Sequence, residues 1–208
     1  SLNENSEVLH CSRSENTDLF WATIGGMGLT GIILSATVQL KKIVTAYIRK
    51  ESIKAENIDE IFQLFDESES WTYTVAWIDC LQKGKNIGRS ILMRGEHALL
   101  NELPQNLAKT PLKLKKKFMP TVPFYFPGFV LNAFTVKAFN FLYFNKQRNK
   151  EVKNFIDYET FFYPLDVVHN WNKIYGKQGF IQYQMVIPKS QGKAGMKAIL
   201  EAIANSGN

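Results

Sequence analysis

Cysteine is almost missing from the 208-residue sequence, with only Cys11 and Cys80 present. Two cysteines make no disulfide framework, and neither sits in a CxxC or Cys/His cluster of the kind that holds a metal. Histidine is equally sparse: His10, His97 and His169 are scattered, with no spacing that builds a metal site or a catalytic triad. No run approaches the ~18–20 apolar residues of a membrane-spanning helix. The start, Ser1-Leu2-Asn3-Glu4-Asn5, has no initiator Met and no basic stretch followed by an apolar one. It is not a signal peptide, and the expectation is that this end is internal to a longer product. What is present is ordinary for a globular protein: 45% hydrophobic, 21% charged, with a formal net charge of +6. That length and composition can bury a real core without staples.

The pattern along the chain predicts alternating elements. Thr17 is a candidate N-cap for a short helix with Asp18 in its first turn. A glycine-rich loop, Gly25-Gly26-Met27-Gly28-Leu29-Thr30-Gly31, follows. Ile32, Leu34, Ala36, Val38 and Leu40 then alternate with polar residues, which predicts a strand running on toward Ile48. Residues 54–67 carry Ile58, Ile61, Phe62 and Phe65 at helical spacing. Residues 71–79 and 87–94 read as two strands of a hairpin around Gly84-Lys85-Asn86. Residues 101–130 hold five of the seven prolines and the basic run Lys113–Lys117, with aromatics after it. They are expected to form an irregular, mobile insert. A helix over 133–148 is expected to turn Phe134, Ala138, Phe141 and Leu142 to one side. A strand over 157–163, a helix from Pro164 to Tyr175 and a strand over 179–188 follow. Met196, Ile199, Leu200 and Ile203 mark a last amphipathic helix ending near Gly207. The sum is an α+β fold, a mostly antiparallel sheet flanked by helices.

Gly26, Gly28 and Gly31 match GxGxxG. A dinucleotide fingerprint follows a strand and opens a helix, because the helix N-terminus holds the pyrophosphate. Here the order is helix, glycines, strand, so Glu51 is denied the role of ribose-binding acid. A tight turn explains one or two glycines. Four in seven residues suit bare backbone on which a phosphate-bearing cofactor can rest.

The stretch Phe20-Trp21-Ala22-Thr23-Ile24-Gly25-Gly26-Met27-Gly28-Leu29-Thr30-Gly31-Ile32-Ile33 resembles the end of the FAD-binding domain in the vanillyl-alcohol-oxidase-like, PCMH-type flavoproteins. Three further blocks are Val75–Asp79, Gly88–Gly95 and Tyr163-Pro164-Leu165-Asp166 through Trp171-Asn172 to Phe180-Ile181-Gln182-Tyr183-Gln184. In this order they are similar to the decaprenylphosphoryl-ribose 2-oxidase subgroup. The resemblance implies residues 1–40 as the remnant of an FAD-binding domain and 41–208 as an incomplete substrate domain. It implies FAD in the full-length protein, held in part by Gly25, Gly26, Gly28, Thr30, Gly31 and Ile32. It implies oxidation of a sugar hydroxyl to a ketone, with the chemistry supplied by the flavin. The substrate would be a polyprenyl-phosphate sugar or another polyol. The partner would be a separate NAD(P)-dependent short-chain reductase. The resemblance puts the active-site lysine beyond this sequence, so no catalytic residue and no metal ligand is named. The isolated chain is expected to fold without flavin and to be inactive.

Trp77, Gln182, Gln184 and Tyr163 are the candidate substrate contacts. Gln182 and Gln184 would share one face of a strand, where amides suit sugar hydroxyls or else meet water. Trp77 and Tyr163 have core roles as alternatives. For the Lys113–Lys117 run, a solvated loop and a peripheral membrane contact are both open. No nucleic-acid fold signature is present. The expected location is the cytoplasm or the periphery of the inner membrane. Two alternatives stand beside the sugar-lipid oxidase: an alditol or aldonolactone oxidase on a soluble substrate, and a flavin-free membrane- or partner-binding domain.

Overall fold

Four stretches supply the strands of one antiparallel sheet, in the order β2-β3-β1-β4. They are β1 (Tyr47–Ala55), β2 (Tyr73–Ile78), β3 (Ser90–His97) and β4 (Glu151–Asp157). Among the described residues six α-helices accompany them: α1 (Thr17–Thr23), α2 (Ile58–Asp66), α3 (Gln105–Ala108), α4 (Ala133–Lys146), α5 (Tyr158–Phe162) and α6 (Gly192–Ser206). The protein is thus α+β. The computed structural model describes residues 8–114 and 117–206. They fall into two units, 1–42 and 43–208, and the sheet lies wholly in the second.

Side chains alternate across a sheet, so each strand has two faces. On one face Ala55 and Leu92 meet Ile58 and Ile61 of α2, Ile87, and Leu200 of α6, all buried. Helix α2 starts at Ile58 because the Asn57 side chain accepts the Glu60 amide at 3.0 Å. The chain entering β3 runs close beneath it. Gly88 has φ of 76°, and a Cβ there would stand 2.8 Å from Cβ of Ile58. Only glycine fits both conditions.

The same face carries an ionic cluster. Nε and Nη2 of Arg94 donate to Oε2 of Glu51 at 2.9 and 2.7 Å. Lys153 pairs with the other oxygen at 3.2 Å. Trp71 lies under the guanidinium groups of Arg49 and Arg94, at 4.9 and 4.7 Å from its ring centre. Burial pushes the Glu51 carboxyl upward, but Arg94 and Lys153 outweigh it and hold the group below the ordinary value.

Several elements differ from the sequence pattern. Apart from an isolated bridge at Ile32, residues 32–40 form no strand: no ladder joins them to another segment among the described residues, and Leu34, Val38 and Leu40 are exposed. The sheet begins later, at Tyr47, where neighbours stand on both sides. Residues 54–55 end β1 rather than begin α2. At Asp157 the strand stops instead of starting: the carboxylate accepts the Thr160 amide at 3.0 Å and caps α5. Residues 164–175 make turns and a short 3-10 turn after Asn170, whose φ of 57° interrupts a helix. Residues 179–188 pair with no strand among the described residues. The predicted end near Gly207 lies outside the described residues.

Helix α4 forms where the pattern places it but is rotated. Asn140 and Phe144 face inward, while Phe134, Phe141 and Leu142 are 80%, 58% and 67% exposed. Polar contacts set this rotation. Asn140 donates to Asp79 at 2.7 Å, and Phe144 sits under the charges of Lys54 and Arg89, 4.0 and 4.6 Å from its ring centre.

Candidate functional site

In the first unit, α1 leads into the glycine loop. Thr23 Oγ1 donates to the Leu19 carbonyl at 2.6 Å and lies 2.9 Å from Thr30 Oγ1, which ties the helix to the far side of the loop. Gly25, Gly28 and Gly31 have φ of 78°, 78° and 129°, and Met27 joins them at 55°. A Cβ at Gly25 or Gly28 would meet nothing within 4 Å, so bare backbone is open to the surroundings there. Gly26 differs: a Cβ would fall 2.2 Å from the Ala22 carbonyl oxygen, so this glycine serves the turn itself. The amides of Met27 and Gly28 donate to no acceptor among the described residues. Open left-handed backbone with unengaged N–H groups is a nest for anionic oxygens.

In the second unit, the other face of the sheet is open at its centre. The register places Lys50 between Gly95 and Asn154, Ser52 between Met93 and Val152, and Trp77 beside Ile91. One end is closed by α5. Tyr73 meets Phe161 and Phe162 edge-on at 6.2 and 4.9 Å, and a Cβ at Gly95 would strike Phe161 at 2.9 Å. The opposite end is closed by α4, whose Tyr143 ring lies 4.7 Å from that of Trp77. Between them is a cleft of about 470 Å³, with Lys50, Met93, Tyr143, Lys146 and Arg148 in its lining.

Electrostatically this cleft is one-sided. Lys50, Lys146 and Arg148 have no carboxylate partner among the described residues. Burial lowers the Lys50 pKa and raises that of the Tyr143 hydroxyl. An unpaired, partly buried lysine costs stability, so the arrangement suits an anionic ligand that would compensate it.

Below the rim, Asp79 anchors the walls. It is 1% exposed. Its carboxylate accepts from Arg89 Nη2 at 2.6 Å, Gln82 Nε2 at 2.9 Å, Asn140 Nδ2 at 2.7 Å and the Leu81 amide at 3.2 Å. One residue therefore ties the end of β2, the approach to β3 and helix α4 together.

The four predicted substrate contacts are not gathered into one site. Trp77 does not line the cleft itself; its ring stands behind that of Tyr143, which does. Tyr163 is 57% exposed and lines a separate surface cavity of about 830 Å³ with Tyr158 and Asp166. Gln182 and Gln184 are exposed and make no side-chain hydrogen bond among the described residues. Lys50, Tyr143, Lys146 and Arg148 escaped the sequence reading. Lys50 shares Tyr47–Ala55 with Arg49 and Lys54, so nothing in the local pattern singles it out.

Comparison with known proteins gives a consistent result. No family model matches the chain. Over its whole length it is 39% identical, across 213 aligned residues, to decaprenylphosphoryl-beta-D-ribose oxidase of Mycolicibacterium smegmatis, of which the match covers 45%. It is 37% identical over 115 residues, 55% of the chain, to a Streptomyces coelicolor protein described as "Uncharacterized protein in mprA 5'region", covering 31% of that protein. The chain thus spans less than half the length of these relatives. By identity along its entire length, it is a relative of decaprenylphosphoryl-beta-D-ribose oxidase.

Proposed function

We propose that the protein to which this sequence belongs is an FAD-dependent oxidoreductase that oxidises a sugar hydroxyl to a ketone, with a polyprenyl-phosphate sugar as substrate. The observation that carries this reading is 39% identity over the full chain to an oxidase of a decaprenylphosphoryl sugar. The open glycine loop supports it. Gly25, Gly26, Gly28, Thr30, Gly31 and Ile32 would hold part of FAD, with the Met27 and Gly28 amides available to its phosphate oxygens. FAD, when bound, supplies the acceptor for the hydride that leaves the sugar carbon.

The residues of the second unit handle the substrate. Lys50, Lys146 and Arg148 bind the phosphate, which neutralises the uncompensated charge of the cleft. Tyr143, backed by Trp77, offers a flat apolar wall to the sugar and the first carbons of the lipid. Gln182 and Gln184 lie outside that cleft; their exposed amides are of a kind that can both donate to and accept from sugar hydroxyls. A nicotinamide-dependent reductase acting next on the ketone would complete an epimerisation.

The test is the visible spectrum of the intact protein under anaerobic conditions. The expected result is a flavin band that bleaches on addition of decaprenylphosphoryl-ribose. A band unmoved by that substrate but bleached by a soluble alditol or aldonolactone would discard the sugar-lipid assignment. A colourless protein that takes up no added FAD would leave a flavin-free binding domain.

A further inference from the structure

From Leu103 to Lys150 the sequence holds no Asp or Glu, while it holds nine Lys and Arg. The chain's +6 is therefore this stretch's +9 set against −3 elsewhere. Of the seven that are described, two are engaged: Lys117 pairs with Asp157, and Lys150 with Glu60. Lys109, Lys113, Lys137, Lys146 and Arg148 have no acidic partner among the described residues.

The same stretch exposes several large apolar side chains. Phe118 is 93% exposed, Phe129 78% and Phe134 80%, and Phe124, Phe141 and Leu142 are each more than half exposed. On α4 the exposed residues are ordered. Phe134, Ala138, Phe141 and Leu142 stand at i, i+4, i+7 and i+8, which is one face of a helix. That face points away from Asn140 and Phe144, the residues by which α4 holds to the sheet. Asn132 caps the helix by accepting the Phe134 and Thr135 amides at 2.9 and 3.1 Å. The stripe is thus presented on a capped helix of 14 residues.

We infer that the stripe of α4, with the exposed aromatics of residues 118–129, is a docking surface for an anionic phospholipid bilayer. Two features select this occupant. The first is charge: the stretch that carries these side chains is rich in lysine and arginine and has no Asp or Glu of its own, which is complementary to anionic headgroups, although Glu159 and Asp166 stand beside Phe118. The second is chemistry: phenylalanine and leucine side chains enter the boundary of the acyl region, as on interfacial helices. A nucleic acid shares the charge preference but gains nothing from Leu131 or Leu142, which have no ring to stack. The surface stands on charge and exposure alone and does not depend on the oxidoreductase reading.

The experiment is co-sedimentation of the intact protein with vesicles. One set is phosphatidylcholine alone; the other is equal parts phosphatidylcholine and phosphatidylglycerol. Binding is expected to the mixed vesicles only, and to weaken with salt. The triple substitution Phe134→Ser, Phe141→Ser, Leu142→Ser leaves the charge unchanged and touches only exposed residues. It is expected to cut binding by about tenfold or more. A matched urea midpoint for the variant establishes that its fold is intact. Absence of binding to the mixed vesicles, or binding that the triple variant leaves unchanged, would overturn the inference. So would tighter capture of a single-stranded RNA that the same variant loses, or a dimer that it dissociates. Because flavin bleaching is not the readout, failure here leaves the proposed activity standing, and the converse also holds.

Discussion

At Asp79 four donors converge on one carboxylate: Leu81 and Gln82 belong to its own turn, while Arg89 and Asn140 come from other parts of the fold. Removing the carboxylate strands the Arg89 guanidinium, which is 11% exposed in its ion pair. A buried charge left without its partner costs on the order of 3–5 kcal/mol. Asp79→Ala is therefore expected to lower the unfolding free energy by about that amount, measured by urea denaturation. A loss under about 1 kcal/mol would mean that water replaces the carboxylate and the node is dispensable. The pattern ends a strand at Asp79, one residue beyond the observed end of β2 at Ile78, and gives the residue no such role. Its partners Arg89 and Asn140 are 10 and 61 residues away. No local pattern announces a contact of that range.

Helix α4 shows how an element can be legible while its orientation is not. The length was readable because apolar residues and good helix formers run from Ala133 to Lys146, with Asn132 before them. The inward face was not, because phenylalanines occur all round the helix and polar contacts break the tie. Asn140, a residue that periodicity assigns to solvent, is the one buried. Strand β2, the hairpin with β3, and helices α2 and α6 were legible for the complementary reason: each buries one apolar face against the same core. The strands expected at 32–40 and 179–188 carry suitable residues but lack partners here, since a strand is completed by its neighbour. At this scale Asn132→Ala is the informative change. It removes the one oxygen that accepts both the Phe134 and Thr135 amides and is expected to cost about 1 kcal/mol. Hydrogen exchange should accelerate in the first turn of α4 and not in β1. Unchanged protection at Phe134 and Thr135 would mean that the cap contributes nothing.

For the molecule as a whole, stability in acid follows from two carboxylates. Glu51 and Asp157 are each raised by burial and lowered further by their partners, Arg94 with Lys153 and Lys117 with Thr160. The net folded pKa is depressed in both. The unfolded chain then binds more protons than the folded one, so their stabilisation is present above the unfolded pKa. It is lost as the pH falls through the folded values, that is, below about pH 5. Glu51→Gln is expected to lower stability at neutral pH and to flatten the dependence in this acid range, measured as thermal midpoint against pH. A slope identical to that of the parent would remove Glu51 from the account. The sheet that these residues hold together is also assembled in an awkward order. β1 is an inner strand, yet its two neighbours are made far apart in time, β3 soon after it and β4 only after the long basic stretch. Gln147 seals that late side with a hydrogen bond to Ser52, 95 residues earlier. A ribosome adding about 5–20 residues per second leaves that edge of β1 bare for several seconds. During the wait it is a template for any other nascent strand. Arg49, Lys50 and Glu51 lie along it, and charge at these positions would keep the growing chain from pairing with its neighbours on the same messenger.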